Sequence, residues 1–426
     1  THARREAAYV RMVAGRYDEA TDELAQVERE QAALGDRRAL AATLGVAALV
    51  EQRRNNSDAA QTLAERALSS HIDTNDVTGE AAARITLGTL YSRTGRFEEA
   101  QQQWEHALTL FVRLGNRRGE ATALGNLAIA HGRAGRHAAA REHQEQALVI
   151  FREIGATPDI ARTQFNLGIQ DRRAGQLAQA QDRISEALDG FTAIGAESFR
   201  LQAIATLAEL HLMRADPASA RALLADLDPA TLAPPERAAA IASAQAHASM
   251  LRGDMESAAA GFGTARDLRQ RASLADWALM SELDLAEPTA RRGDLPAAER
   301  LVRDLRRSMV QAGDAGAALQ AGILLAAIRH AQGDHAGTDR LLDELETQLA
   351  ARPDAHLALR LDLVRAAQDF PNRGDALRSL AIRARTRGFE LLALRAELIG
   401  GDETTARNTL QRLGLATEGM PPALPY

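Results

Sequence analysis

The chain has no cysteine, so neither a disulfide framework nor a thiolate metal site can stabilise it or do its chemistry. That absence accords with a reducing cytoplasm, which is the compartment expected for it. Lysine is missing too: all 51 basic residues are arginine, as a high-GC codon bias would produce. Aromatic residues make up only 4% against 46% apolar residues, so the core must be built chiefly from alanine and leucine. Both are strong helix formers, and alanine lets helices approach closely. No apolar run reaches the roughly 18 residues that cross a bilayer. The richest, residues 317–331, is interrupted by Gln320 and Arg329. There is no signal-peptide pattern at the start, and Thr1 already lies inside a helical pattern, as in a piece of a longer protein. The net charge of −6 argues against a nucleic-acid-binding surface over the whole chain.

What is present is repetition. Between residues 79 and 195 one forty-residue phrase is written three times. Leu87 recurs as Leu127 and Leu167, Gly95 as Gly135 and Gly175, and Ala100 as Ala140 and Ala180. The pair Ala107-Leu108 recurs as Ala147-Leu148 and Ala187-Leu188, and a closing glycine falls at Gly115, Gly155 and Gly195. A fixed period of this length means stacked supersecondary units, each burying its apolar face on its neighbours. An array also explains how 426 residues escape the size limit of a single core.

The same ruler reaches back to Asn55 and Gly15. In 15–20 and 95–100 a glycine able to end a helix in the left-handed region is followed by an aromatic residue. Acids then fall in the first turn of the next helix, where the dipole favours them. Asn55 fits the glycine's role, because asparagine tolerates that region. Forward, the step lands on Ala215. Pro229, Pro234 and Pro235 then break the pattern, since proline cannot continue a helix interior. The rhythm resumes at Gly253, Gly293 and Gly333, with a last irregular pair of turns near 372–374 and 400–402. The expected domains are a regular array over 1–228, a degenerate one over 236–419 and an unstructured tail at 420–426.

The third repeat carries Leu87-Gly88 and Tyr91 on its first helix, Gly95 at the turn, and Ala100, Trp104 and Ala107 on its second. This pattern resembles the tetratricopeptide repeat (TPR) family. The longer forty-residue unit is similar to Pins-type spindle scaffolds and to sensor domains of bacterial regulators such as the maltose-regulon activator. The resemblance is clearest over residues 80–200 and fades after 370. It implies an all-α fold, a right-handed TPR superhelical solenoid of about ten hairpins without strands. It also implies a non-catalytic role, either as a scaffold holding a partner segment in the concave groove or as a ligand-sensing regulatory domain.

In TPR arrays the position before the repeated leucine faces the groove, and here it holds Thr86, Asn126, Asn166 and Thr206. An asparagine amide can pair with both polar groups of an extended backbone, as similar asparagines do in Pins-type scaffolds. The plain alternative is a tie between neighbouring helices. Arg162 and Arg172 make the groove near Asn166 positive. Arg53, Arg93, Arg133 and Arg173 form a second ladder, each two residues before its turn. It is either a basic rail for acidic partner side chains or a set of arginines placed by the helix dipole alone. His131 and His211 stand where Tyr91 does and read as core spacers. His131, His137 and His143 lack the i, i+4 spacing of a helical metal pair, and Glu282, Asp284 and Glu287 read as a solvated helix face. Gly313 and Gly316 follow no strand, and no Gly-x-Ser-x-Gly, His-Glu-x-x-His or Walker sequence occurs. The expectation is therefore a protein or peptide partner, bearing acidic residues if the arginine ladder is a basic rail, with no cofactor, no metal, no membrane and no direct nucleic-acid contact.

Overall fold

A computed structural model describes residues 2–133, 136–351, 353–368, 372–400 and 403–412. The described residues are all helix and turn, with no strand. The helices alternate in chain order: α1 (His2–Val13), α2 (Tyr17–Leu34), α3 (Arg37–Arg53), α4 (Ser57–Asp73), α5 (Val77–Arg93), α6 (Phe97–Arg113), α7 (Arg117–Arg133) and α8 (His137–Glu153). Next come α9 (Thr157–Ala174), α10 (Leu177–Ala193), α11 (Glu197–Met213), α12 (Pro217–Leu224), α13 (Pro235–Leu251), α14 (Met255–Arg271) and α15 (Ala275–Arg291). The last are α16 (Leu295–Gln311), α17 (Ala315–Gln332), α18 (His335–Ala351), α19 (Ala355–Gln368), α20 (Arg373–Thr386), α21 (Glu390–Gly400) and α22 (Glu403–Arg412). Among the described residues these 22 helices pair into eleven hairpins, in line with the expected count of about ten, and the pairing continues through 373–412 where the sequence phrase has faded. The tail 420–426, Gly135 and the turn at Gly401-Asp402 lie outside the described residues.

The repeat phrase does the packing expected of it. Ala100, Ala140 and Ala180 are at most 1% exposed, and Leu87, Leu127 and Leu167 at most 2%. In the third repeat the indole of Trp104 occupies the space above Gly88. A Cβ built on that glycine would lie 2.6 Å from Trp104 Cδ1 and 2.8 Å from Cε2. The indole N–H donates to the Ile85 carbonyl at 3.3 Å, which satisfies the one polar group the buried ring brings with it. Gly95 ends α5 with φ 81°, and Asn55 takes the same turn with φ 62°, as its residue type allows. Aspartates cap later helices: Asp216, Asp254, Asp294 and Asp314 each accept from a backbone N–H three residues on, at 2.9–3.1 Å. Each thereby satisfies one of the unpaired donors of a helix start.

By contact, the chain forms two compact units, residues 1–163 and 164–426. In the first, successive hairpins share cores such as the one joining Ala48, Ala60, Leu87, Tyr91, Trp104 and Leu127. In the second, the helices on either side of the proline segment share one core, with Leu201, Ala208, Leu224, Ile241 and Leu251 together. The Gln245 amide also donates to the carbonyls of Leu224 and Leu227, at 3.3 and 2.8 Å. The helices on either side of the prolines are therefore bridged by packing.

The second unit closes on itself. Leu394 of α21 and Leu410 of α22 belong to the core of α11–α13, and α21 packs on both α11 and α19. At the turn after α9, a Cβ on Gly175 would meet Ala355 Cβ at 3.0 Å and Phe389 Cε2 at 3.3 Å. The last hairpins thus return to the first ones of this unit, and the face they enclose becomes an interior.

A charged cavity in the second unit

That interior is a cavity of about 330 Å³, at the lower end of the size of small-molecule sites. Its polar lining is Arg172 from α9, Glu209 from α11, Ser243 and His247 from α13, and Arg269 from α14. Asp284 and Glu287 from α15, Gln320 from α17, His356 and Arg360 from α19, and Arg395 from α21 complete it. With the exception of Arg269, these side chains come from the first helices of seven successive hairpins. The apolar part is Met213, Met250, Trp277, Met280, Phe389 and neighbouring leucines.

The electrostatics follow from burial. Asp284 makes no hydrogen bond or ion pair among the described residues, and burial pushes its carboxyl above the ordinary aspartate range; His247 and Arg269 oppose that rise and Glu209 and Glu287 add to it. Glu287 is only 8% exposed and is held by Arg291, at 2.9 Å from Nε and 2.5 Å from Nη2. Arg269 is also buried; it donates to the Ser281 hydroxyl and to the Trp277 carbonyl at 3.3 Å. Burial lowers its pKa, against the pull of Asp284 and Glu209. His356 stacks on Phe389 with centroids 5.3 Å apart and planes 11° apart. Burial first, and then the charges of Arg360, Arg172 and Arg395, hold its imidazole well below the usual histidine range. Arg172 reaches Glu209 at 3.4 Å, while its Nε is buried without a hydrogen-bond partner. The lining thus holds arginines around a neutral imidazole and, from α15, two carboxyls.

This overturns the reading of α15 as a solvated acidic face. The sequence places Glu282, Asp284 and Glu287 among polar neighbours, and only the closing of α19 and α21 over them makes an interior of that face. Glu282 stays half-buried, outside the cavity lining. His131 and His211 are likewise half-buried polar partners and not core spacers. His131 Nδ1 accepts from Arg136 Nε at 2.9 Å, and His211 Nδ1 lies 3.0 Å from Asp216 Oδ2.

The expected groove residues sit at one register position on their helices. In the first unit Thr86 and Asn126 are half-buried, and in the second Asn166 and Thr206 are. The two threonine hydroxyls donate back to the carbonyls of Ala82 and Gln202, at 3.2 and 2.9 Å. The two asparagine amides make no hydrogen bond among the described residues. Arg162 is exposed and pairs with Asp159 on its own helix at 3.0 Å. Of the arginine ladder, Arg93 donates to Asn55 at 2.8 Å, while Arg53 and Arg173 are exposed without a hydrogen bond or ion pair among the described residues. All close a helix or sit in its last turn, where the dipole favours them. The Arg133 side chain lies outside the described residues. No group of three or more His, Cys, Asp or Glu among the described residues could hold a metal ion, and no described helix is long and apolar enough to cross a membrane.

A family model described as tetratricopeptide repeat matches residues 79–153, the stretch where the phrase is most regular. The described residues have a TPR-like helical repeat fold, and the match in sequence is confined to that stretch. No curated protein matches the chain by sequence. Among solved structures, the chain is similar to the apo form of RapI, with 13% identity and a TM-score of 0.45 over 73% of this chain and 97% of that one. It is similar to a tetratricopeptide repeat protein from Parabacteroides merdae, with 16% identity and a TM-score of 0.44 over 66% and 98%. It is also similar to BtubC from P. vanneervenii, with 18% identity and a TM-score of 0.37 over 62% and 92%.

Proposed function

We propose that the chain is a non-catalytic interaction module whose helix ladders hold a segment of a partner protein. The observation that supports this is the pair of half-buried amides, Asn126 in the first unit and Asn166 in the second. They sit at equivalent repeat positions with their hydrogen-bonding capacity unused among the described residues. Such an amide can take both the N–H and C=O of an extended chain. Arg53 and Arg173, exposed and unpaired among the described residues, would favour acids in that segment. The test is titration calorimetry of a recovered partner segment against wild type and N126A/N166A. The double variant should bind more weakly by about 1–3 kcal/mol, from two lost hydrogen-bond pairs, at unchanged melting temperature. Wild-type affinity would sink this reading.

The cavity favours a second reading, that of a ligand-sensing regulatory domain. A cavity lined by a carboxyl without a hydrogen bond or ion pair among the described residues is costly to keep as a purely structural feature. A ligand there would lock the returning hairpins onto α11, and the array would report its presence to whatever it binds.

A further inference from the structure

The second reading leaves the ligand's chemistry open, and the acceptors in the cavity lining narrow it. Of the carboxyls there, Glu287 is held by Arg291 and Glu209 by Arg172, while Asp284 has no hydrogen bond or ion pair among the described residues. Ionised or protonated, a carboxyl keeps at least one oxygen that accepts. His247, near enough to act on Asp284 electrostatically, has its Nδ1 2.9 Å from the Ser243 carbonyl. A carbonyl can only accept, so Nδ1 carries the proton. In the neutral ring Nε2 is then a second acceptor, and it too has no hydrogen bond among the described residues. Two acceptors thus line the cavity from α13 and α15, and a molecule seated against them has to bring the donor.

The apolar lining has a bias of its own. Met213 of α11, Met250 of α13 and Met280 of α15 belong to it, three of the chain's seven methionines. Thioether side chains adapt to a body of irregular shape. Trp277 shares the lining with 61% of its surface exposed, where an indole is ordinarily well covered. A ring laid against it would supply that cover.

We propose that this cavity binds a small molecule with an apolar, ring-bearing body and a terminal hydroxyl or amino group, the donor taken by Asp284 and His247 and the body lying against Trp277 and the three methionines. Alcohol and amine share the one property the acceptors demand, an O–H or N–H, and the net charge of the lining does not enter. The assignment rests on the ligand-sensing reading and adds to it the hydrogen-bonding chemistry of the ligand.

Trp277 reports on the site, since the chain's other tryptophan, Trp104, is 2% exposed in the first unit. Tryptophan emission of the full chain would be titrated with 3-phenylpropan-1-ol, with 3-phenylpropylamine, and with 3-phenylpropyl methyl ether, which keeps the body and lacks the donor. The expected result is a saturable change with the alcohol, the amine or both, at least about tenfold tighter than with the ether, the size expected for a hydrogen bond to a carboxylate. The change should vanish in W277F. In D284A the donor-bearing probes should fall to the affinity of the ether. Should D284A fail to fold, the comparison of donor with ether on the wild-type chain decides the matter alone. If the two donors differ, the tighter one identifies hydroxyl or amino as the recognised group. An ether that binds as tightly as both donors, or a preference that survives in D284A, would overturn the donor assignment and leave the ligand-sensing reading standing. A change that persists in W277F arises outside the cavity and would overturn both. No saturable change with any probe up to about 10 mM, beyond the weak end of small-ligand binding, would do the same.

Discussion

Replacing Gly88 by alanine pits two effects of opposite sign against each other in one contact. In an unobstructed helix interior the change should stabilise by about 1 kcal/mol, the helix-propensity difference between the two residues. Here the added methyl would stand 2.6 Å from Trp104 Cδ1 and 2.8 Å from Cε2, well inside van der Waals contact. The ring cannot retreat, since it is 2% exposed and its N–H is fixed on the Ile85 carbonyl. Overpacking of this kind costs about 1–3 kcal/mol, so G88A should be net destabilising in the wild-type background. In W104A the clash is gone and only the propensity gain remains. W104A itself should cost about 3–5 kcal/mol, and on top of it G88A should stabilise by about 1 kcal/mol. The difference between the two effects of G88A measures the contact directly. Urea unfolding followed by far-ultraviolet circular dichroism reads it without depending on the deleted tryptophan. Because arrays can unfold in parts, the midpoints of any separate transitions should be compared one by one. Equal effects of G88A in both backgrounds would refute the packing assigned to the third repeat.

The other expectations are shorter. A100L, A140L and A180L should each destabilise by about 1–3 kcal/mol, because each alanine is buried where two helices touch; unchanged melting temperatures in all three would put the register in error. Ser273 is exposed with φ 57°, so S273G should stabilise by about 0.5 kcal/mol, the relief of left-handed strain less the entropy glycine adds to the unfolded chain; a lower denaturation midpoint would count against that turn. Burial tends to raise the carboxyl pKa of Asp216, but hydrogen bonds from Ser219 and His211 outweigh it and hold the pKa below the ordinary value. The stability this contributes is present above the unfolded pKa of about 3.9 and is lost as pH falls through the folded value. D216N should flatten the acid limb of a melting-temperature profile, and an unchanged limb would remove Asp216 from the account. Limited proteolysis tests whether the two arrays expected from the sequence meet at an accessible segment despite the core they share: first cuts within 229–235 support that boundary, and first cuts elsewhere with that segment intact oppose it.

The fold was readable because it is local and repeated. A glycine every forty residues, acids after it and alanines at fixed offsets each act within one hairpin or on its neighbour. Three copies of the phrase specify the packing of all three. Asn55 shows how far this goes: its residue type alone was enough to place a left-handed turn where the ruler demanded one, and it has φ 62°. The last hairpin is the least legible, because α21 and α22 are short, at 11 and 10 residues, and carry none of the phrase beyond an irregular turn. Their leucines are nevertheless buried against α11 and α13, and that packing, not the phrase, accounts for their place in the unit.

The cavity was illegible for a different reason. Asp284 and Glu287 lie on a helix whose own pattern is that of an ordinary amphipathic hairpin. Whether their face meets water is decided by residues 356–395, about seventy to 110 positions away, which hold no copy of the repeat phrase to give their position away. His356, Arg360 and Arg395 likewise sit in what reads as a faded end of the array. One signal was nonetheless present. Burying charged residues costs several kcal/mol per ion unless partners meet them, and arginines at Arg360 and Arg395 flanked by leucine runs are hard to place on a solvated face. A charged residue inside an otherwise apolar helix at the end of a repeat array is therefore a reason to ask what that helix returns to. In this chain it returns to the first hairpins of its own unit, and the most chemically loaded surface lies where the repeat signal is weakest.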